Sequence, residues 1–147
     1  MNKSVFDKIK SGEFLIALTD LEGNILWKSS RNPATTLFNA YFDNEFQNLK
    51  GETEVYSDQA GLAIALISPK LNIKKVHCCK ASQGGLAKFK DEGVEVDFEE
   101  VIPFVMSSKN NALVCGVERF MSENPDDEKR WSFMKERHDS KGSSCML

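Results

Sequence analysis

The segment from Glu52 to Cys79, ETEVYSDQAGLAIALISPKLNIKKVHCC, constrains the fold of this chain more than any other. A short strand pattern, TEVYS, precedes an almost wholly apolar helix pattern, QAGLAIALISPKL, and a second strand pattern, IKKVHCC, follows it. A helix that is apolar on every side is a buried helix. A strand, a helix and a strand in succession favour parallel pairing of the two strands. The segment therefore predicts two parallel strands joined by a buried helix.

The patterns on either side extend this unit into an α/β domain. FLIALTDLEGNILWKSS consists of two apolar runs around a turn in which Gly23 or Asn24 takes a positive φ, which predicts an antiparallel hairpin. Helices are predicted over NPATTLFNAYFDNEFQNLKG, ASQGGLAKFKDEG and CGVERFMSE, and a further strand over VEVDF. EEVIPFV reads as a short turn of helix or an extended segment. We predict a three-layer α-β-α sandwich whose mixed sheet has about five strands and opens with an antiparallel hairpin.

The chain has 147 residues, enough for one hydrophobic core without a disulfide or metal. We expect a domain over residues 1–123 and an added region over residues 124–147. In that region, Trp131 and Met134 would dock an amphipathic helix, and order would be lost from about Ser140.

Composition excludes several partners. Charged residues make up 28% of the chain, and the net charge of -3 provides no basic field, so nucleic acid is an improbable partner. No apolar run is long enough to cross a bilayer, and no N-terminal signal segment is evident, so we expect no membrane partner and a cytoplasmic location. Four cysteines without a disulfide pattern fit a reducing compartment.

Polar residues at the strand ends are the candidate ligand-binding residues. Asp58 would either cap the buried helix or bind a ligand amine in the crevice beyond the strands, and both interpretations stay open. Cys79 ends the next strand, which borders the same predicted pocket. The amides of Ser82, Gly84 and Gly85 could hold an anion at a helix start, although capping and close packing explain the SQGG sequence more simply.

CGVE provides the second group of candidates. Cys115 at a helix start would gain thiolate character, which suits a nucleophile or redox residue, and Glu118 follows one turn later. A buried structural cysteine is the simpler alternative for Cys115. We therefore take Asp58, Cys115 and Glu118 as the catalytic candidates.

Four motifs carry a resemblance to a known family: SDQAGLAIALI, KKVHCCKASQGGLAKFKDEGVEV, EEVIPFV and CGVE. Together with the order of elements, they resemble the family known as domain of unknown function 1893, with a cytidine-deaminase-like fold. The resemblance extends from about Val5 to Met121. It implies a pocket at the start of the buried helix, where zinc deaminases hold their metal.

The zinc motifs of such deaminases are incomplete in this chain. Residues 57–59, SDQ, stand where a His-x-Glu element belongs, and no second cysteine follows Cys78 and Cys79 at the required spacing. We therefore predict no metal and no cofactor. A mixed site of Asp58, His77 and Cys79 is the disfavoured alternative.

Three classes of function remain. We favour a zinc-free deaminase-like domain that binds a small nucleotide-like or amino-bearing ligand. The alternatives are a homo-oligomeric interaction module and a non-deaminase enzyme that uses Cys115 and Asp58.

Overall fold

The computed structural model describes residues 1–140 as a mixed α/β protein with one six-stranded sheet and six helices. In chain order the elements are α1 (Lys3–Lys10), β1 (Ile16–Asp20), β2 (Ile25–Ser29), α2 (Pro33–Phe42), β3 (Thr53–Ala60), α3 (Leu62–Leu71), β4 (Ile73–Ser82), α4 (Gln83–Asp91), β5 (Glu95–Asp97), β6 (Glu100–Ile102), α5 (Gly116–Glu123) and α6 (Asp127–Asp139). No helix within residues 1–140 has both the length and the apolar composition that a membrane span requires. The tail for which we expected loss of order lies, beyond Ser140, outside the described residues.

The sheet is mixed, as the sequence predicts. Its strands follow the order β2-β1-β3-β4-β5, and β6 also pairs with β4. Strand β1 is antiparallel to β2 and β3, whereas β4 is parallel to β3, β5 and β6. The opening hairpin is confirmed, and its turn places Gly23 at a φ of 89°. The sixth strand comes from EEVIPFV, which forms parallel pairs with β4 from Glu100 to Ile102.

Two buried clusters form on the sheet because successive side chains of a strand point to opposite faces. Helix α1 buries Val5, Phe6 and Ile9 in one cluster, together with Ala17 of β1 and Tyr56 of β3. The other five helices contribute to the larger cluster on the opposite face, which contains Val55, Val76 and Cys78. Helix α3 lies at its centre, with eight of its ten residues buried. The prediction of a buried crossover helix is thus confirmed.

Helix α2 is shorter than its apolar spacing predicts. It ends at Phe42 instead of continuing towards Gly51, because Asn44 takes a left-handed conformation with a φ of 63°. The amide of Glu45 then donates back to the carbonyl of Ala40 at 3.0 Å. Such left-handed residues end many helices. Beyond this point Phe46 still packs against the core, so its burial does not require a helix.

Helix α6 packs against α2 and α5. The Trp131 ring lies 5.1 Å from that of Phe38 between centroids, and Met134 is only 1% exposed. Arg130 adds a polar link, since its Nη2 donates to the Met121 carbonyl at 2.7 Å. The docking residues expected from the sequence, Trp131 and Met134, are both confirmed.

We predict that Met134→Ala lowers the free energy of unfolding by about 2–5 kcal/mol, because it leaves a cavity in the core that α6 shares with α2. Lys129→Ala, on the exposed side of the same helix, serves as the control and should stay within about 0.5 kcal/mol of wild type. Chemical denaturation followed by circular dichroism measures both. Equal effects of the two substitutions would show that α6 does not contribute to the core.

Candidate ligand-binding cavity

A cavity of about 400 Å³ lies beyond the carboxyl end of β3. Its floor includes Ser57, Asp58 and Gln59, the polar residues near the end of that strand. The first turns of α2, α3 and α5 surround it, and residues 105–109 form part of its rim. Its volume is in the range of pockets that hold small molecules.

Glu118 closes the start of α3, a role that we expected of Asp58. Strand β3 continues through Asp58 to Ala60, so the N-cap of α3 is Gly61, which has no side chain to offer. The Glu118 carboxylate accepts a hydrogen bond from the amide of Leu62 through Oε1 at 2.9 Å. Of the two interpretations left open for Asp58, capping of the buried helix is therefore wrong, because the acceptor comes from α5 instead.

The same carboxylate also holds the rim of the cavity. Glu118 Oε2 accepts from the Val105 amide at 2.9 Å, and only 3% of Glu118 is exposed. A Cβ added to Gly61 would lie 2.5 Å from Glu118 Oε1 and equally close to the Val105 side chain. Glycine at position 61 thus makes room for the carboxylate, which serves as an acceptor at the positive end of α3.

The SQGG sequence serves capping and packing. Ser82 is the N-cap of α4, and its Oγ accepts from the Gly85 amide at 3.0 Å. A Cβ added to Gly85 would lie 2.5 Å from the Gly61 Cα, while Gly84 faces the side chain of Leu62. Ser82, Gly84 and Gly85 thus bring the starts of α3 and α4 together, and none of them lines the cavity.

The adjacent cysteines point to opposite faces of β4, as predicted. Cys78 lies in the larger core cluster, where burial raises the pKa of its thiol to about 12. Cys79 packs against the α1 cluster. Burial, together with the negative charges of Asp58 and Glu99, raises the pKa of Cys79 to about 11. Both thiols therefore remain protonated near neutral pH and are poor nucleophiles.

The cations at the cavity were not among the sequence candidates. Arg137 of α6 and Lys109 of the rim both line it. Arg137 Nη2 donates to Thr35 Oγ1 at 3.1 Å, in the first turn of α2. The N-caps of α2 and α5, Asn32 and Cys115, form no side-chain capping hydrogen bond. The positive ends of these two helices therefore face the cavity without a side-chain acceptor at the cap.

The residues at the positions of the deaminase zinc motifs form other contacts in this protein. His77 is 1% exposed, with Nε2 2.6 Å from Glu54 Oε1 and its ring stacked on that of Tyr56. Ser57 Oγ donates to the carbonyl of Gln59 at 2.7 Å. Within residues 1–140 no three His, Cys, Asp or Glu side chains are arranged to hold a metal ion. The residues present do not fit the zinc of a deaminase.

The three catalytic candidates from the sequence, Asp58, Cys115 and Glu118, all line the cavity, whereas Cys79 lies outside its lining.

Sequence reasoning missed Arg137 and Gln59. Arg137 is one basic residue among several on α6, and no local pattern distinguishes it. Gln59 precedes the helix start and holds the rim by accepting from the Met106 amide at 2.8 Å and donating to the Met106 carbonyl at 3.2 Å.

The comparisons with known proteins agree on the family. The model of the family described as a domain of unknown function, DUF1893, matches residues 4–138, so the chain belongs to that family. The match includes α6 and extends beyond Met121, where the resemblance in the sequence ended. A crystal structure of a DUF1893 family protein from Thermotoga maritima is similar, with a TM-score of 0.71 and 21% identity over 92% of this chain and 88% of that chain. No curated protein matches the sequence.

We predict that Glu118→Ala lowers the free energy of unfolding by about 2–4 kcal/mol, because it leaves the amides of Leu62 and Val105 without an acceptor. Glu123→Ala, at an exposed glutamate of the same helix, is the matched control, with an effect within about 0.5 kcal/mol. Asp58→Ala should cost less than Glu118→Ala. The reverse order, measured by chemical denaturation, would restore the capping role to Asp58.

Proposed function

We propose that this DUF1893 domain binds a small nucleotide-like molecule in the cavity at the end of β3. The observation that carries the proposal is the distribution of charge around that cavity. Arg137, Lys109 and the uncapped start of α2 provide positive potential, while Asp58 provides a carboxylate. The second carboxylate of the lining, that of Glu118 in the first turn of α5, is already bonded to the amides of Leu62 and Val105. A ligand that bears both a phosphate and an amino group matches this distribution.

The phosphate would lie near the start of α2. Backbone amides at a helix start bind anions well. Arg137 stands beside the same turn through its hydrogen bond to Thr35, and an arginine offers several donors to a phosphate. Asp58, which lines the cavity from the carboxyl end of β3, would accept hydrogen bonds from an exocyclic amine.

The proposal does not include deamination. It retains the three-layer arrangement, which the helices on both faces of the sheet support, together with a cytidine-deaminase-like fold and a cytoplasmic location. Four further residues that the sequence suggested lie outside the cavity lining, and they would contact a ligand only if it extended beyond the cavity: Cys79, Ser82, Gly84 and Gly85. A homo-oligomeric module stays an alternative.

We predict that AMP or CMP binds and that Arg137→Gln weakens this binding about 10- to 100-fold, because a hydrogen bond to a charged group contributes about 1.5–3 kcal/mol. Isothermal titration calorimetry measures the affinity. Arg119→Gln, at an exposed arginine of α5, is the matched control and should leave it unchanged.

Adenosine and cytidine, which lack the phosphate, should bind more weakly than AMP and CMP and respond little to Arg137→Gln. Arg137 also packs over the ring of Phe133 at 5.5 Å, so the unfolding of each variant is measured in parallel. An absence of binding by all of these compounds at millimolar concentration would refute the proposal.

A second candidate function is favoured by one observation: Cys115 and Asp58 line the same cavity. An enzyme that forms a covalent intermediate would use the Cys115 thiol as nucleophile. We predict for this candidate that the Cys115 sulfur takes over a group from an ester or thioester bound in the cavity, so that the alcohol or thiol leaves with the thiol proton and the Cys115 peptide gains the mass of the transferred group in place of that hydrogen. Mass spectrometry detects the modified peptide in wild type, and Cys115→Ser is the control. If a ligand binds but Cys115 stays unmodified, this candidate function is refuted and ligand binding is the function that remains.

A further inference from the structure

The segment between β6 and α5 is firmly attached at its base. Val105 and Cys115 are joined by a backbone hydrogen bond of 2.9 Å, and Met106 pairs with Val114 in an antiparallel bridge. Gln59 holds both the amide and the carbonyl of Met106, and Glu118 holds the amide of Val105. These bonds are at least partly buried, so the base is fixed to β3 and α5.

The tip of the same segment is attached differently. Residues 108–113 are all exposed, and Leu113 exposes 58% of its surface. Their other hydrogen bonds lie within the segment, such as that from the Ala112 amide to Asn110 Oδ1. Within residues 1–140, one hydrogen bond joins residues 108–113 to a residue outside the segment between β6 and α5, from Ser108 Oγ to Asn32 Oδ1 at 3.3 Å.

The tip also lies over the cavity. Ser108, Lys109 and Asn111 line it from one side, and Asn32, at the start of α2, lines it from the other. The bond between Ser108 and Asn32 thus crosses between the two sides. A long, exposed hydrogen bond contributes little stability, whereas the base is held by several shorter ones.

We propose that residues 107–113 form a lid, which turns on the pair Met106 and Val114 and is held shut by the contact between Ser108 and Asn32. This inference rests on the proposed function, because the lid would control access of a ligand to that cavity. Opening moves Lys109 away from Arg137, so the full positive potential around a bound anion exists only in the closed form. The ligand would therefore favour closure.

Cys115 reports on the lid, because it is half-buried and lines the cavity behind it. The experiment uses the full chain with Cys79→Ser and Cys145→Ser and compares the rates at which a bulky maleimide and the small reagent iodoacetamide modify Cys115. Ser108→Ala removes the hydroxyl that bonds to Asn32. It should raise the ratio of the maleimide rate to the iodoacetamide rate about two- to fivefold, which corresponds to the loss of an exposed hydrogen bond of about 0.5–1 kcal/mol. Ser11→Ala changes an exposed serine at the C-cap of α1; it is the control and should leave this ratio of rates unchanged.

An unchanged ratio in Ser108→Ala overturns the lid, as does a bulky reagent that reacts with the unaltered lid as readily as the small one does. These rates are measured without ligand, so they are independent of the proposed function. Calorimetry with AMP tests that function separately. A raised ratio without AMP binding would support the lid and refute the proposed ligand. AMP binding with an unchanged ratio would support the proposed ligand and refute the lid.

Discussion

The arrangement of the cavity depends on the two hydrogen bonds that the Glu118 carboxylate accepts. One oxygen accepts from the start of α3 and the other from Val105, so a single side chain joins α5, the central buried helix and the rim of the cavity. A buried carboxylate without partners would be strongly unfavourable. Here both of its oxygens are bonded, and it supplies acceptors to amides that would otherwise be buried without them.

The glycines around this carboxylate explain why the starts of α3 and α4 lie so close together. Gly61 leaves the space that Glu118 occupies, and Gly85 approaches the backbone of Gly61 so closely that no side chain fits between them. Because α3 already has an acceptor, the uncapped positive ends at the cavity are those of α2 and α5. Arg137 adds its charge beside the former. The cavity therefore combines these positive groups with two carboxylates, Asp58 and the already bonded Glu118.

Much of the fold could be predicted because it depends on local patterns. The apolar helix between two strands, the turn at Gly23 and the opposite orientations of Cys78 and Cys79 follow from periodicity and backbone preference. The end of α2 could not be predicted, because the apolar spacing continues to Leu49 while Asn44 turns the chain. For β6 the sequence left a turn of helix and an extended segment as alternatives, since its three residues pair with β4 only where the sheet is already formed.

The sequence by itself determined the opening hairpin, the unit from β3 to β4, the burial of α3 and the absence of the deaminase zinc motifs, since each depends on neighbouring residues. Only the tertiary structure decided which carboxylate caps α3 and which cations reach the cavity. Asp58 is close to the helix start in sequence, but β3 extends to Ala60, so Asp58 lies within the strand and Gly61 takes the N-cap position. Glu118, 56 residues from Leu62 in sequence, takes its place because the packing of α5 brings the two together. Arg137 reaches Thr35 across 102 residues for the same reason, and no local pattern encodes contacts of that range.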